Sequence, residues 1–404
     1  MKPPRLKDKK MDIRSIADEM TLIRRSLHEN PQTSYEETFA SDLVARKLTE
    51  WGIPFQRGIA KTGLVATIAG RMNTSGKAIG FRADMDALDI HEQTNLSHAS
   101  KIPGKMHACG HDGHTAMLLG AAKALKDNPD FDGTVHLIFQ PAEEGGNGAN
   151  KMIDEGLFKT FPMERVFAFH NWPWFAKGQI GICPGPAMAS VDKFTIRIQG
   201  KGSHAAVPNE SADPLVIASH IALALQTIVS RNIDPMEPAV VSITNIAAGT
   251  GAFNIIASDA TLDGTVRTYN NALRPFIRKR MEEIASHTAA AYGGTAVVTY
   301  EEMNDATMNT GDEVALALSA AAEMVGGENV LSGIKPYMMG EDFGAMLAQA
   351  PGCYIFIGQG DGQSGDSPHS QGLHSPYYDF NDAIIPVGIA YWAKLAARFL
   401  PLSV

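Results

Sequence analysis

The sequence predicts an α/β protein: a mostly parallel sheet with helices on both faces, interrupted by an inserted ferredoxin-like α+β domain. Three observations carry this. Apolar runs of strand length alternate with helical periodicities through residues 13–170 and again after residue 304, the pattern of a parallel sheet. Between residues 189 and 303 the order becomes β-α-β-β-α-β. Acids and histidines collect at predicted carboxyl ends of strands, where open α/β sheets bind ligands. At 404 residues the chain exceeds one ordinary domain.

In order, amphipathic helices are expected at 13–27 and 36–51, separated by Asn30-Pro31 and closed by Gly52. Strands follow at 63–68 and 78–83, the second leading into Asp84-Met85-Asp86. A helix at 115–125 precedes strands at 133–140 and 165–169, which end near Glu143-Glu144 and His170. In the insert, an alternating strand at 191–199 is followed by a helix at 214–229, strands at 239–246 and 257–269, a helix at 275–292 and a strand at 295–301. The first domain then resumes with a helix at 313–325, a strand at 354–357 and a packed helix at 383–397. Residues 358–367, GQGDGQSGDS, read as a loop.

A net charge of −9 argues against a nucleic-acid surface. Three widely spaced cysteines (Cys109, Cys183, Cys353) form no disulfide framework and point to a reducing cytoplasm. The start, MKPPRLKDKK, lacks the apolar stretch of a signal peptide. No segment is expected to reach membrane-spanning length.

Residues 106–114 read MHACGHDGH and empty into an apolar helix. One reading is a capped helix start with Asp112 near the N-cap. The preferred one is a metal site. Cys109 and His111, two apart on extended backbone, point the same way, and thiolate, imidazole and carboxylate are ligands of zinc and related divalent metals. His107 and His114 are read as orienting the loop or capping the helix, and His136 as a core histidine. Glu143 and Glu144 follow a buried strand and precede Gly145-Gly146. Consecutive side chains diverge on a turn, so one carboxylate can bind metal while the other faces a water as general base.

The motifs MHACGHDGH, QPAEEG, FHNWP, GKGSHAAVP, FNIIA, GTVRT, GEDF and LHSPYYDFND occur in the order seen in the M20-type metal-dependent amidohydrolases. Over nearly its whole length the chain resembles the branch of hippurate hydrolases, aminoacylase-like enzymes and plant auxin-conjugate hydrolases. The resemblance implies a di-metal catalytic domain (1–188 and 304–404) and an inserted lid and dimerisation domain (189–303), forming a homodimer or homotetramer. Carried over by position, it makes Cys109, His111, Glu144, His170 and His374 the ligands of two divalent ions, and Glu143 the general base. Asp84 and Asp86 fall where related peptidases carry a ligand histidine and its supporting aspartate, so Cys109 looks like this branch's replacement ligand. A cysteine ligand leaves Mn2+, Zn2+, Co2+ and Ni2+ open. His204 becomes an oxyanion donor reaching in from the lid of a neighbouring subunit, and Arg267 a clamp on a substrate carboxylate. Asn254 becomes a substrate hydrogen-bond partner. Asn209 stands where many relatives have a second histidine, and His369 is read as solvated.

The expected reaction is hydrolysis of the amide in a small-molecule N-acyl amino acid, with neither nucleic acid nor membrane as partner. A metallo-dipeptidase on the same scaffold is the first rival; it needs an acidic group for the substrate's free α-amine, and no residue is assigned to that role. An inactive binding relative is the second, and the intact Glu143-Glu144 pair speaks against it.

Overall fold

A strand run with no polar alternation, such as 134–140, needs cover on both faces, and the fold supplies it. The structure is a computed structural model that describes residues 12–360 and 367–402. The N-terminal decapeptide and most of the expected 358–367 loop lie outside the described residues, and Gly358 to Gly360 belong instead to the strand Gly352–Gly360. Contacts divide the chain into two compact units, one formed by Met188–Thr307 with Pro336–Gly344 and the other by the remainder.

The larger unit is built on an eight-stranded sheet. Its order is Phe55–Ile59, Gly63–Ala69, Thr134–Gln140, Ala78–Asp84, Arg165–Ala176, Gly352–Gly360, Ile180–Ile182 and Val330–Ser332. The four central strands, from Thr134–Gln140 to Gly352–Gly360, pair in parallel. Antiparallel pairing joins the first two strands, then Gly63–Ala69 to Thr134–Gln140, and Ile180–Ile182 to Gly352–Gly360. Helices Ile13–Glu29, His111–Asp127 and Ile385–Phe399 pack on one another. Small residues allow this closeness: a Cβ on Gly120 would sit 2.5 Å from Ile389 Cδ1 and 2.9 Å from Met20 Cγ. Below them Trp392 stacks on Phe81 and Phe169, with ring centroids 4.5 and 4.6 Å apart.

Three expectations for this unit are corrected. The helix after the MHACGHDGH loop starts at His111, so His111, Asp112 and His114 lie in its first turn. The strand expected to end near His170 runs on to Ala176, because Gly352–Gly360 pairs with it as far as that residue. Phe55–Ile59 is an unexpected edge strand; only Ile59 is buried, which leaves no alternation to read.

In the smaller unit the antiparallel sheet has the order Ala239–Ala248, Asp259–Thr268, Val191–Gln199 and Thr295–Asn304. Helices Pro214–Thr227 and Leu273–Ala291 complete the β-α-β-β-α-β unit. Alternation in Val191–Gln199 sends Phe194, Ile196 and Ile198 into a core with Ile217, Ile221, Leu225, Ile277 and Met281. The expectation that no segment is long and apolar enough for a membrane is also corrected. Pro214–Asn232 passes by length and composition, with mean hydropathy 1.3. Its apolarity is partly explained by packing, since Ile217, Ala218, Ile221 and Leu225 are buried in this unit's core.

Replacing Trp392 by alanine removes the indole joining the sheet to its helix layer. Trp392→Ala is expected to lower unfolding free energy by about 3–5 kcal/mol. A urea midpoint unchanged from that of the wild type would show that the stack contributes nothing.

Candidate metal centre

Between Cys109 and His111 the backbone is not extended, as the sequence reading assumed. Gly110 sits in the left-handed region at φ 92° and caps the helix. A Cβ there would lie 2.3 Å from Asn171 Oδ1 and 2.5 Å from the Tyr378 hydroxyl. Glycine is thus required twice over, by its conformation and by the close approach of its neighbours. The turn still puts Cys109 and His111 on a common site.

Two triples of ligand-type side chains share Cys109. In Cys109–His111–His170 and in Cys109–Glu144–His374, the ligand atoms lie within 4.8 Å of one another. A further triple, His111–Glu143–Glu144, meets the same distance and sets Glu143 beside the cluster. Cys109 Sγ is 3.4 Å from His170 Nε2, and His374 Nε2 is 3.1 Å from Glu144 Oε1. All five expected ligands therefore converge, together with the expected base. The first triple is buried, whereas the His374 side chain is half exposed. The loops reach this arrangement through left-handed non-glycine residues, Ala142 (φ 56°) and His374 (φ 64°). The His374 N–H donates to Ala108 O at 2.8 Å, tying the two segments together.

A surrounding shell aims these ligands. Asp86 Oδ1 lies 3.3 Å from His111 Nδ1, and its Oδ2 accepts the Glu144 N–H at 2.9 Å. The His170 Nδ1 points to Asn171 O at 2.7 Å, which turns Nε2 inward. A fourth triple, Asp84–His111–His114, also satisfies ligand spacing, but its groups are already engaged. Asp84 pairs with Arg82 at 2.6 Å, and His114 is held by Asp84 at 2.6 Å and by Asn171 at 2.7 Å. His114 thus orients the loop, as expected. His107 does not cap the helix; it packs behind the loop 6.3 Å from the His28 ring. His136 bonds Thr67 in the core, and His369 faces Asp379 at 3.3 Å.

The electrostatics fit a cation. Burial works against protonation of His111, but Asp84, Asp86 and Glu144 raise its pKa to about 10. Burial pushes the Cys109 thiol up, reinforced by Glu144 and Glu143, while burial and His114 hold His170 neutral. Buried His111 Nε2 makes no hydrogen bond, and Glu144 Oε1 lies 3.9 Å from it and 3.1 Å from His374 Nε2. Unpaired buried polar atoms are costly, and a shared N, S and O donor set suits a borderline divalent ion.

The remaining expected residues belong to the smaller unit. His204 is exposed, opposite Ile255 in a two-residue ladder, and lines a shallow depression with Thr250 and Asn254. Arg267 donates to Thr265 Oγ1 and Val266 O and has no salt bridge among the described residues. Sequence reasoning missed Asn171, Tyr378 and the pair Arg24 and His28 behind the loop. The last two were detectable as polar residues on the apolar stripe of Ile13–Glu29.

With this geometry in view, comparisons with known proteins converge. Residues 80–398 match the model of peptidase family M20/M25/M40. The chain belongs to this family. It is 39% identical to a hippurate hydrolase of Campylobacter jejuni, over 96% of this chain and 98% of that protein. It is 38% identical to an IAA-amino acid hydrolase of Arabidopsis thaliana, over 95% and 86%. An N-acetylcysteine deacetylase of Bacillus subtilis shares 39% over 94% and 96%. Among solved structures, a dinuclear metal-binding peptidase of Bacillus subtilis from the M20 family superposes with a TM-score of 0.81 at 34% identity, covering 96% of this chain and 99% of that one. The family member described here is a metal-dependent amidohydrolase.

His28 gives the site's surroundings a pH signature. Burial opposes its charge, yet Asp112 and then Glu92 raise its pKa from 6.5 to about 9. Its contribution to stability is then full below pH 6.5 and lost as pH rises through about 9. The stability gap between wild type and His28→Gln, from urea titrations, is expected to be widest near pH 6 and to shrink towards pH 10. A constant gap would contradict the charged pairing.

Proposed function

We propose that the protein hydrolyses the amide bond of N-acyl amino acids, using two divalent cations and Glu143 as general base. The observation that carries this is the pair of ligand triples meeting at Cys109 with Glu143 alongside. The names of the relatives agree, since hippurate, IAA–amino acid conjugates and N-acetylcysteine are all N-acyl amino acids.

Cys109, His111 and His170 would hold one cation, and Cys109, Glu144 and His374 the other, as Mn2+ or Zn2+ with Co2+ and Ni2+ as substitutes. Bound there, the cations polarise the scissile carbonyl and acidify water. Glu143 takes a proton from the attacking water and returns it to the leaving amine. Arg267, free of a salt bridge among the described residues, clamps the substrate carboxylate, and Asn254 hydrogen-bonds the substrate. His204 donates to the oxyanion across a homodimer interface. The exposed Leu215, Val216 and Leu223 on Pro214–Thr227 and the open edge of Ala239–Ala248 support association through this unit, as a dimer or a dimer of dimers. The three cysteines are buried and free, which supports a reducing, cytoplasmic setting.

Metal-depleted protein, reconstituted with single metals, is assayed on acetyl-, benzoyl- and indoleacetyl-amino acids and on dipeptides. Metal-dependent turnover of the N-acyl substrates is expected; faster cleavage of dipeptides would put a dipeptidase in its place. Glu143→Gln is expected to lower kcat by roughly 10²–10⁴-fold at near-normal metal content, and Glu144→Gln to lose metal. The reverse outcome by elemental analysis would exchange the two roles.

Mixing inactive His204→Ala with inactive Glu143→Ala, under conditions where subunits exchange, is expected to restore activity through hybrid sites. No recovery despite demonstrated exchange would confine His204 to its own chain.

A further inference from the structure

The buried stripe of helix Ile13–Glu29 runs Ala17, Met20, Ile23, Arg24, Leu27 and His28. Two of these are ionisable, and Arg24 and His28 are both fully buried. A guanidinium at such a position is retained only when its donors are met. Arg24 Nε donates to Asp382 Oδ1 at 2.7 Å, Nη1 approaches Asp112 Oδ2 at 3.5 Å, and Nη2 donates to His98 Nε2 at 3.1 Å. His28 Nδ1 meets the same Asp112 oxygen at 2.8 Å.

Two of the partners, Asp112 and Asp382, belong to the two segments that complete the metal centre. Asp112 follows His111 directly and sits in the first turn of its helix. Asp382 lies eight positions beyond His374 in the same connecting segment. Phe380, between them, packs under Arg24 at 5.8 Å and touches the place where a Gly113 Cβ would be, at 2.2 Å. One planar side chain therefore spans the segment that supplies Cys109 and His111 and the segment that supplies His374.

We propose that Arg24 is a positioning residue for the metal centre, holding these two segments in register from behind. This rests on the amidohydrolase reading for what the segments bind. Arg24 touches neither a ligand atom nor the reacting groups. It acts through Asp112 and Asp382, and its rigid fork supplies three directions at once, which a lysine ammonium cannot reproduce at that position.

The test uses the full chain carrying Arg24→Lys, which keeps the charge and loses the fork. Co2+ affinity is measured by chelator competition, the thiolate–Co2+ absorption band is recorded, and amide hydrogen exchange is followed by mass spectrometry in metal-free protein. A folded variant is expected to bind Co2+ roughly 10–100-fold more weakly, with an altered band. Exchange should be faster in both 106–114 and 367–382 and unchanged in 191–199. Wild-type exchange in either segment, or wild-type affinity and spectrum, overturns the proposal. If Arg24→Lys does not fold, Asp382→Asn removes one link at a partly solvated position; the same readouts are expected to move in the same direction, and unchanged values overturn the proposal. Exchange needs no substrate or metal, so failure of the wild type to hydrolyse N-acyl amino acids would overturn the functional reading while leaving Arg24 to be decided by its own data.

Discussion

The larger unit is organised by the need to neutralise many ionisable groups in a dry interior. Asp84, Asp86, His111, His114, His170 and Cys109 are all buried around one loop. Isolated charges at such positions are strongly unfavourable, so each must be paired, hydrogen-bonded or neutral. Burial alone would raise Asp84, but His111, then Arg82 and His114, hold it well below the ordinary carboxylate range. Asp86 divides its oxygens between His111 and the Glu144 amide. His111 Nε2 and Glu144 Oε1 stand apart from this pairing, on the side where the ligand triples meet. The shell thus fixes where His111 Nε2 and Glu144 Oε1 face, and a cation placed there would satisfy both.

That demand explains the backbone. Gly110, Ala142 and His374 all take left-handed φ values, and each lies at or next to a ligand or the base. Gly110 takes this φ freely, but at Ala142 and His374 it is strained and persists only where the surroundings over-determine it. Here they do: Glu37 accepts the Ala142 N–H at 2.9 Å, and Ala108 O accepts that of His374 at 2.8 Å.

Much of this was legible in the sequence, for identifiable reasons. The smaller unit shows its alternation directly because one sheet face is packed and the other is not, as the pattern of Val191–Gln199 shows. The metal loop announces itself because cysteine, histidine and aspartate rarely share a buried turn without a purpose. Conformation was less legible. Nothing in the order Cys-Gly-His distinguishes an extended segment from a left-handed cap, so the right residues converged for the wrong geometric reason. The end of the Arg165–Ala176 strand depends on its partner in Gly352–Gly360, nearly two hundred residues away. Arg24 and His28 were overlooked because a single amphipathic helix reads as core plus surface, and their partners Asp112 and Asp382 lie far along the chain.

The two triples also differ in a way that bears on how the proposed reaction is laid out. Cys109, His111 and His170 are buried, while Glu143 and Glu144 are half-buried and His374 is open on one side. A sealed triple can hold a cation but leaves little room for a substrate. An open one leaves a coordination position free, the distinction between structural and catalytic sites. Glu143 stands with Glu144, on the open side, where a base can reach water and a leaving amine. His114 and Asn171 back the closed side, within a buried hydrogen-bonded chain of Arg82, Asp84, His114, Asn171 and Tyr378. In the proposed reading the closed half anchors and the open half turns over substrate. Cys109 couples the two: its single sulfur belongs to both triples, so displacing that atom disturbs both halves at once.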